Sequence, residues 1–114
     1  MHELRDRLRA FVAERDWAQF HTPKNLAMAL SVEASEIAEI FQWLTAEESA
    51  NLPADKQAAA ADEIADTLMY LVRLADQLGI DPLEAAAAKL AKNRLKYPPD
   101  LVRGKALKYD EYEA

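Results

Sequence analysis

Residues 26–44 read LAMALSVEASEIAEIFQWL, and apolar side chains recur in this stretch with the period of an α-helix. The seam, at alternating spacings of four and three residues, consists of Leu26, Leu30, Glu33, Ile37, Ile40 and Leu44. Such spacing predicts a helix with one buried face, and Glu33 stands on that face where a leucine is expected. Because an unpaired buried carboxylate is costly, Glu33 is expected to be protonated, paired with a cation or bound to a metal.

The sequence contains two pairs of carboxylates at a spacing of three residues, Glu33 with Glu36 and Glu63 with Asp66. Residues i and i+3 project from one face of a helix, so two such helices packed side by side would bring four acidic side chains together. The second pair is expected to border an apolar stripe formed by Ile64, Leu68, Leu71, Ala75 and Leu78. Acidic residues at this spacing are also routine on solvated helix faces, but the repetition and the interrupted seam favour a site.

Helical periodicity dominates the chain before Pro98, and only two glycines and five prolines interrupt its 114 residues. We therefore expect an all-α, four-helix-bundle-like fold, with long helices at about 2–16, from Pro23 to about 43, from about 55 to 79 and at about 82–97. N-caps are predicted at Thr22, Thr45 and Asp81. Residues 1–114 are expected to form one domain, with a core at about 2–97 and a tail at about 98–114. Tyr109 and Tyr112 of that tail are expected to pack over the body or a neighbouring subunit.

The composition excludes several classes of partner and site. The net charge of −6 argues against a nucleic-acid polymer, because such partners are bound through basic patches. The absence of cysteine excludes disulfides, thiolate metal sites and a cysteine nucleophile. Neither a secretion signal nor an apolar run long enough for a membrane span is recognisable, so a cytoplasmic protein without a membrane partner is expected.

Four carboxylates offer hard oxygen ligands only, which suits Mg²⁺, or Mn²⁺ as a substitute, and disfavours zinc and copper. A di-iron bundle site would instead show Glu-x-x-His, and neither His2 nor His21 has that spacing. Protein-bound Mg²⁺ usually shares its coordination positions with substrate phosphates. The sequence therefore predicts a phosphate-containing substrate.

Candidate substrate contacts occur on the last long helix and among the aromatic residues. Basic and polar side chains recur at helical spacing at Lys89, Lys92, Asn93 and Lys96, with Arg94 and Tyr97 close by. They suit a triphosphate chain, but they equally suit a solvated basic face near a helix C-terminus. Trp17, Trp43 and Tyr70 are of the kind that stacks on a nucleobase, with core packing as the alternative. His21 is either a site residue or a local hydrogen-bonding residue.

Together these segments resemble a known family, the MazG-like all-α nucleoside triphosphate pyrophosphohydrolases, and within it the dCTP pyrophosphatase branch. The family signature, an E-x-x-E pair, a spacer and an E-x-x-D pair, is matched by residues 33–36 and 63–66. Four further segments are similar in the same order, namely RDWAQFH at 15–21, EIFQW at 39–43, DTLMYL at 66–71 and KLAKNRLKYP at 89–98. The resemblance implies a four-helix core assembled into a homodimer or homotetramer, which cleaves a nucleoside triphosphate to the monophosphate and pyrophosphate.

The resemblance also implies roles for individual residues. Metal ligands, one of them doubling as the general base, would be Glu33, Glu36, Glu63 and Asp66. The base and the sugar would contact Trp17, Trp43 and Tyr70, with His21 near the base pocket. The phosphates would contact Lys89, Asn93, Arg94, Lys96 and Tyr97. The expected substrate is dCTP or a modified deoxynucleoside triphosphate. A same-fold enzyme acting on dUTP or phosphoribosyl-ATP, and a non-catalytic helical interaction module, are the alternatives.

Overall fold

The computed structural model describes residues 1–107, and within them every regular element is helical. A short 3₁₀ turn at Ala18–Phe20 precedes the second helix. The α-helices are α1 (His2–Glu14), α2 (Pro23–Phe41), α3 (Ala46–Ala50), α4 (Ala54–Gln77), α5 (Pro82–Lys96) and α6 (Pro99–Val102). The predicted all-α fold is therefore confirmed. The packing expected of Tyr109 and Tyr112 concerns positions outside the described residues.

The three predicted N-caps are confirmed by their hydrogen bonds. Thr22 Oγ1 accepts from the backbone N–H of Asn25 at 3.2 Å, immediately before Pro23. Thr45 and Glu48 form the predicted reciprocal capping box at the start of α3. Asp81 Oδ1 accepts from the backbone N–H groups of residues 83 and 84 at the start of α5. Each cap pairs backbone donors that have no partner inside the helix.

Three long helices end about two residues before their predicted limits, the first of them, α1, at Glu14 rather than near residue 16. Helix α2 ends at Phe41 rather than near Trp43. Helix α4 ends at Gln77, and Gly79 follows with a φ of 68°, the left-handed conformation that glycine adopts most easily after a helix. The Ile80 N–H then donates to the Ala75 carbonyl at 2.8 Å. The predicted stop at this glycine is therefore confirmed.

The chain divides into two compact units, of which the first comprises Met1–Ile80 and the second begins at Asp81. In the first unit α2 packs along α4, and α1 also contacts α4. Its buried apolar residues include Val12, Leu26 and Val72. The second unit contains α5 and α6. The prediction that residues 1–114 form a single domain stays a prediction.

The predicted seam of α2 faces the inside of the first unit. Leu26 is 1% exposed, and Glu33 shares this face because every member of the seam is buried or half-buried. Helices α2 and α4 carry the two acidic pairs, so their mutual packing brings residues 33–36 toward residues 63–66.

The predicted apolar stripe of α4 is wrong in most of its members. Ile64 is 56% exposed, and Leu68, Leu71 and Leu78 are exposed as well, whereas Ala75 is buried. The inward face of α4 instead contains Ala60, Glu63, Asp66, Thr67, Tyr70, Arg73 and Leu74, all buried or half-buried. Ala60, with a small side chain, is buried on this face, whereas the larger Ile64 and Leu68 lie on another. The second acidic pair therefore lies on the inward face itself.

No helix among residues 1–107 combines the length and apolar character that crossing a membrane requires.

Candidate active site

Three carboxylates meet where α2 packs on α4. Glu33 and Glu36 from α2 and Glu63 from α4 each offer an oxygen atom, and these three atoms lie within 4.8 Å of one another. We call these three residues the carboxylate cluster. All three are half-buried, so the cluster lies at the edge of the helix interface rather than in open water. Like charges at this separation repel unless a proton or a cation lies between them.

Two oxygens of the carboxylate cluster have no hydrogen-bond donor. Glu33 Oε2 and Glu63 Oε2 are both buried, and neither finds a partner within residues 1–107. A buried polar atom without a partner carries a desolvation cost that native proteins rarely leave uncompensated. Oxygen donors of this kind fit a hard divalent cation such as Mg²⁺ or Mn²⁺, which would pair with both. The oxygen donors of the carboxylate cluster therefore fit such an ion.

The pKa values of Glu33 and Glu63 reflect the same crowding. A proton-sharing hydrogen bond with Glu36 is the main cause that raises the pKa of Glu63 to about 7, with desolvation and the negative charge of Glu36 acting in the same direction. Desolvation is the main cause that raises the pKa of Glu33, followed by the charge of Glu36. Without a cation, Glu33 and Glu63 therefore hold their protons to a higher pH than ordinary glutamates do.

Asp66 lies outside the group of three oxygens but near it. Its negative charge contributes to the raised pKa of Glu33. It also lines a neighbouring cavity of about 230 Å³, together with residues of α1 and of the segment before α2. Asp66 thus lies between the carboxylate cluster and this cavity, and its predicted role as a fourth metal ligand stays a prediction.

The cavity gathers three more residues that the sequence singled out. Its wall contains Leu8, Phe11, Val12, Trp17, His21, Asp66, Met69, Tyr70 and Arg73. Trp17 and Phe11 meet edge to face, with ring centroids 5.8 Å apart. An aromatic, largely apolar wall of this size suits a flat ring such as a nucleobase. We call this space the aromatic cavity.

Sequence reasoning missed several parts of the aromatic cavity, of which Arg73 is the most informative. Arg73 is 5% exposed, and its Nε donates to His21 Nδ1 at 3.2 Å. The spacing in the sequence does place Arg73 with the predicted site residues, because it follows Asp66 by seven residues and Tyr70 by three, so that all three lie on one face of α4. The α1 residues of the wall, Leu8, Phe11 and Val12, carry no functional signal in the sequence, because apolar residues at this spacing are typical of any packed helix.

A second, more open cavity of about 410 Å³ borders the carboxylate cluster. Its wall contains Val32, Ser35, Glu36, Glu39, Ile40, Ala59 and Glu63. Glu39 adds a further acidic side chain that the sequence analysis did not single out. The carboxylate cluster is therefore accessible to solutes from this open cavity.

The remaining residues that the sequence predicts to contact the substrate do not line the aromatic cavity or belong to the carboxylate cluster. Trp43 is 87% exposed and lies beyond the end of α2. The residues expected around the phosphates belong to the second unit, at the positions Lys89, Asn93, Arg94, Lys96 and Tyr97. Lys96 Nζ lies 5.6 Å from the ring centroid of Tyr97. The roles of all six residues stay predictions.

Comparison with known proteins now decides the family. The model of the MazG-like family matches residues 28–111, which include both acidic pairs. The chain belongs to the MazG-like family. The resemblance inferred from the acidic signature is therefore confirmed.

Curated relatives of this MazG-like chain include two mammalian enzymes named dCTP pyrophosphatase 1. The Mus musculus protein is 45% identical over 103 residues, and the Homo sapiens protein is 44% identical over 103 residues. Each alignment covers 89% of this chain and 61% of the relative. The chain thus spans about three fifths of the length of these curated relatives.

A solved structure supports the fold of the MazG-like chain. A pyrophosphatase from Archaeoglobus fulgidus, known from its crystal structure, is 44% identical and superimposes with a TM-score of 0.82. The match covers 86% of this chain and 92% of the other. Sequence and fold therefore agree on one family.

Proposed function

We propose that this MazG-like protein hydrolyses a nucleoside triphosphate to the monophosphate and pyrophosphate, with Mg²⁺ as its cofactor. The observation that carries the proposal is the carboxylate cluster, in which Glu33 and Glu63 each keep a buried oxygen without a partner. The names of the mammalian relatives support dCTP or a modified deoxynucleoside triphosphate as the substrate. Mn²⁺ is a chemically reasonable substitute for Mg²⁺.

The residues that would hold the ion are those of the carboxylate cluster, joined by Asp66. When bound, a divalent cation supplies positive charge to the triphosphate and acidifies water for attack on phosphorus. The protein supplies the oxygen ligands from two rigid helices, α2 and α4, whose packing fixes the ligand positions. One of the four carboxylates would accept the proton of the attacking water, because an ionised carboxylate close to the reacting centre can act as a general base.

The aromatic cavity provides the place for the nucleoside. Trp17 and Tyr70 supply aromatic surface for the base, and His21 supplies a polar group beside it. Asp66 lines this cavity and acts electrostatically on Glu33, so cavity and cluster adjoin. One substrate could therefore place its base in the aromatic cavity and its phosphates at the carboxylates.

Two further features agree with a triphosphate substrate and an oligomeric enzyme. The basic side chains of α5, from Lys89 to Lys96, have the charge that a triphosphate requires. The exposed apolar face of α4, which includes Ile64, Leu68 and Leu71, would be covered in a homodimer or homotetramer. The largely exposed Trp43 would then also find a packing partner.

Product analysis tests the proposed function directly. Purified protein is incubated with Mg²⁺ and, separately, dCTP, the other three canonical deoxynucleoside triphosphates, dUTP and phosphoribosyl-ATP. The proposal expects a nucleoside monophosphate and pyrophosphate, with dCTP among the favoured substrates. Diphosphate with orthophosphate would contradict the cleavage position, and preferred turnover of dUTP or phosphoribosyl-ATP would reassign the substrate.

A further inference from the structure

A buried arginine closes one side of the aromatic cavity. The Arg73 side chain is 6% exposed, and burial of a guanidinium without partners is strongly unfavourable. Its Nη1 lies 3.4 Å from Asp76 Oδ2. Asp76 also pairs with a second arginine, Arg9 of α1, which donates to it through Nε at 2.7 Å and through Nη2. Asp76 thus joins two arginines of α1 and α4.

A second nitrogen of the Arg73 guanidinium, Nε, contacts His21 and thereby indicates which ring nitrogen of His21 carries the proton. Arginine has only hydrogen-bond donors, so His21 Nδ1 must be the acceptor in the 3.2 Å contact with Arg73 Nε. An accepting Nδ1 carries no proton, and the neutral ring then has its proton on Nε2. Desolvation and the positive charge of Arg73 both lower the pKa of His21, which keeps the ring neutral at physiological pH.

We propose that Arg73 is a positioning residue, which holds His21 in the tautomer whose Nε2–H donates a hydrogen bond to an oxygen or nitrogen acceptor of the nucleoside in the aromatic cavity. The inference rests on the proposed function, since it assumes a nucleotide in that cavity. A neutral N–H donor suits the uncharged acceptors of a base or sugar, whereas a phosphate would favour a charged partner. The recognised class is therefore a nucleoside with a hydrogen-bond acceptor facing His21.

A purely structural role for Arg73 would leave a different signature. Asp76 keeps its pairing with Arg9 when Arg73 is removed, so the fold retains one of the two ion pairs. If Arg73 acts through His21, its loss should matter only while His21 is present. If Arg73 had only a structural role, its removal would lower stability and turnover whether or not His21 is present.

The tautomer is measured by ¹⁵N NMR on the full chain. His2 is the only other histidine in the sequence, so the variant His2→Gln isolates the signals of His21. The expected spectrum shows a protonated Nε2 and an unprotonated Nδ1, and the variant Arg73→Met shows a mixture of tautomers. A proton on Nδ1 of the wild-type ring would overturn the proposal, whatever the protein hydrolyses.

The function of the tautomer is measured by a double-mutant cycle on hydrolysis of dCTP, with His21→Ala, Arg73→Met and the combined variant. Arg73→Met should raise KM about fivefold to tenfold, the loss of about one hydrogen bond, with a smaller change in kcat. In the His21→Ala background the same substitution should leave KM unchanged. Additive effects in the cycle would overturn the positioning role.

Two controls keep the outcomes apart. Arg7→Met removes an exposed arginine of α1 outside the cavity wall and should behave as the wild type. Arg73→Lys, which retains a charge beside Asp76, replaces Arg73→Met in the cycle if the latter fails to fold. If the wild type hydrolyses dCTP but the effects of the two substitutions on KM are additive, only the positioning role of Arg73 is rejected. Absence of nucleotide hydrolysis and binding in the wild type rejects the proposed function, and with it donation to a nucleoside.

Discussion

Glu33 of α2 and Glu63 of α4 bring carboxylate oxygens to within 4.8 Å of each other, although thirty positions separate them in the chain. An oxygen of each is buried, and residues 1–107 provide it with no hydrogen bond. The arrangement is unfavourable by itself, because two desolvated acids face each other. It becomes favourable when a divalent cation binds, and this gives the first prediction.

Mg²⁺ should stabilise the folded protein. At a free concentration one hundred times the Kd, binding to the folded state alone adds about 2.7 kcal/mol to the free energy of unfolding. Thermal denaturation in EDTA and in Mg²⁺ measures this difference. Glu63→Gln should abolish most of it, whereas Glu47→Gln, an exposed acid of α3, should retain it. An equal Mg²⁺ response in Glu63→Gln would place the ion elsewhere.

Glu36→Gln should abolish most turnover without unfolding the protein. Loss of a ligand or proton acceptor at the reacting centre typically lowers kcat by about 10²- to 10⁴-fold. Steady-state kinetics with dCTP, alongside circular dichroism of the variant, separates a catalytic from a folding defect. The parallel variant Asp66→Ala tests the predicted fourth ligand. A well-folded Glu36→Gln protein with wild-type rates would remove Glu36 from the site.

The aromatic cavity should control substrate affinity. Trp17→Leu should raise KM for dCTP about tenfold, because an aromatic ring stacked on a base contributes about 1–3 kcal/mol. Phe20→Leu is a matched control, since Phe20 is exposed and lies outside the cavity wall. Initial rates over a range of dCTP concentrations give KM and kcat for both variants. Similar KM values for the two would argue that the base binds elsewhere.

Asp76 should contribute to stability in a pH-dependent way. The hydrogen bonds that Arg9 donates to Asp76 are the main cause that lowers the pKa of Asp76 below its ordinary value. The positive charges of Arg9 and Arg73 act in the same direction. A lowered folded-state pKa means that its contribution is fully present above about pH 3.8 and is lost as the pH falls through the folded value. At pH 7, Asp76→Asn should lower the free energy of unfolding by about 3 kcal/mol, because Arg73 is left unpaired.

Urea denaturation of the wild type and Asp76→Asn at pH 7, 4 and 3 tests the direction of this effect. The gap between the two proteins should narrow as the pH falls from about 3.8 toward the lower folded-state pKa of Asp76, because the unfolded wild type takes up a proton there before the folded protein does. Asp62→Asn, which changes an exposed acid of the same helix, should show no such convergence. A gap that stays constant with pH would show that Asp76 acts through shape rather than charge.

Local signals in the sequence predicted the helix starts and the seam of α2. Thr22, Thr45 and Asp81 precede helices with the side chains that cap them, and capping depends on neighbours only three residues away. Leu26 and the rest of its seam follow a regular period, so its inward face could be read directly.

The inward face of α4 could not be read in the same way. Helix α4 has large apolar residues such as Ile64 and Leu68 on one face and small or polar ones on another. Hydrophobicity alone does not identify the buried face, because Ala60 and Arg73 are buried whereas Ile64 is exposed. Arg73 was missed for a related reason, because a buried charge needs Asp76 and the distant Arg9, 67 residues from Asp76.

The most direct test of the metal site is anomalous scattering from crystals grown with Mn²⁺. We expect a manganese peak bounded by Glu33, Glu36 and Glu63, with Asp66 at its side. A peak at another place, or none between these carboxylates under conditions where Mn²⁺ supports hydrolysis, would contradict it.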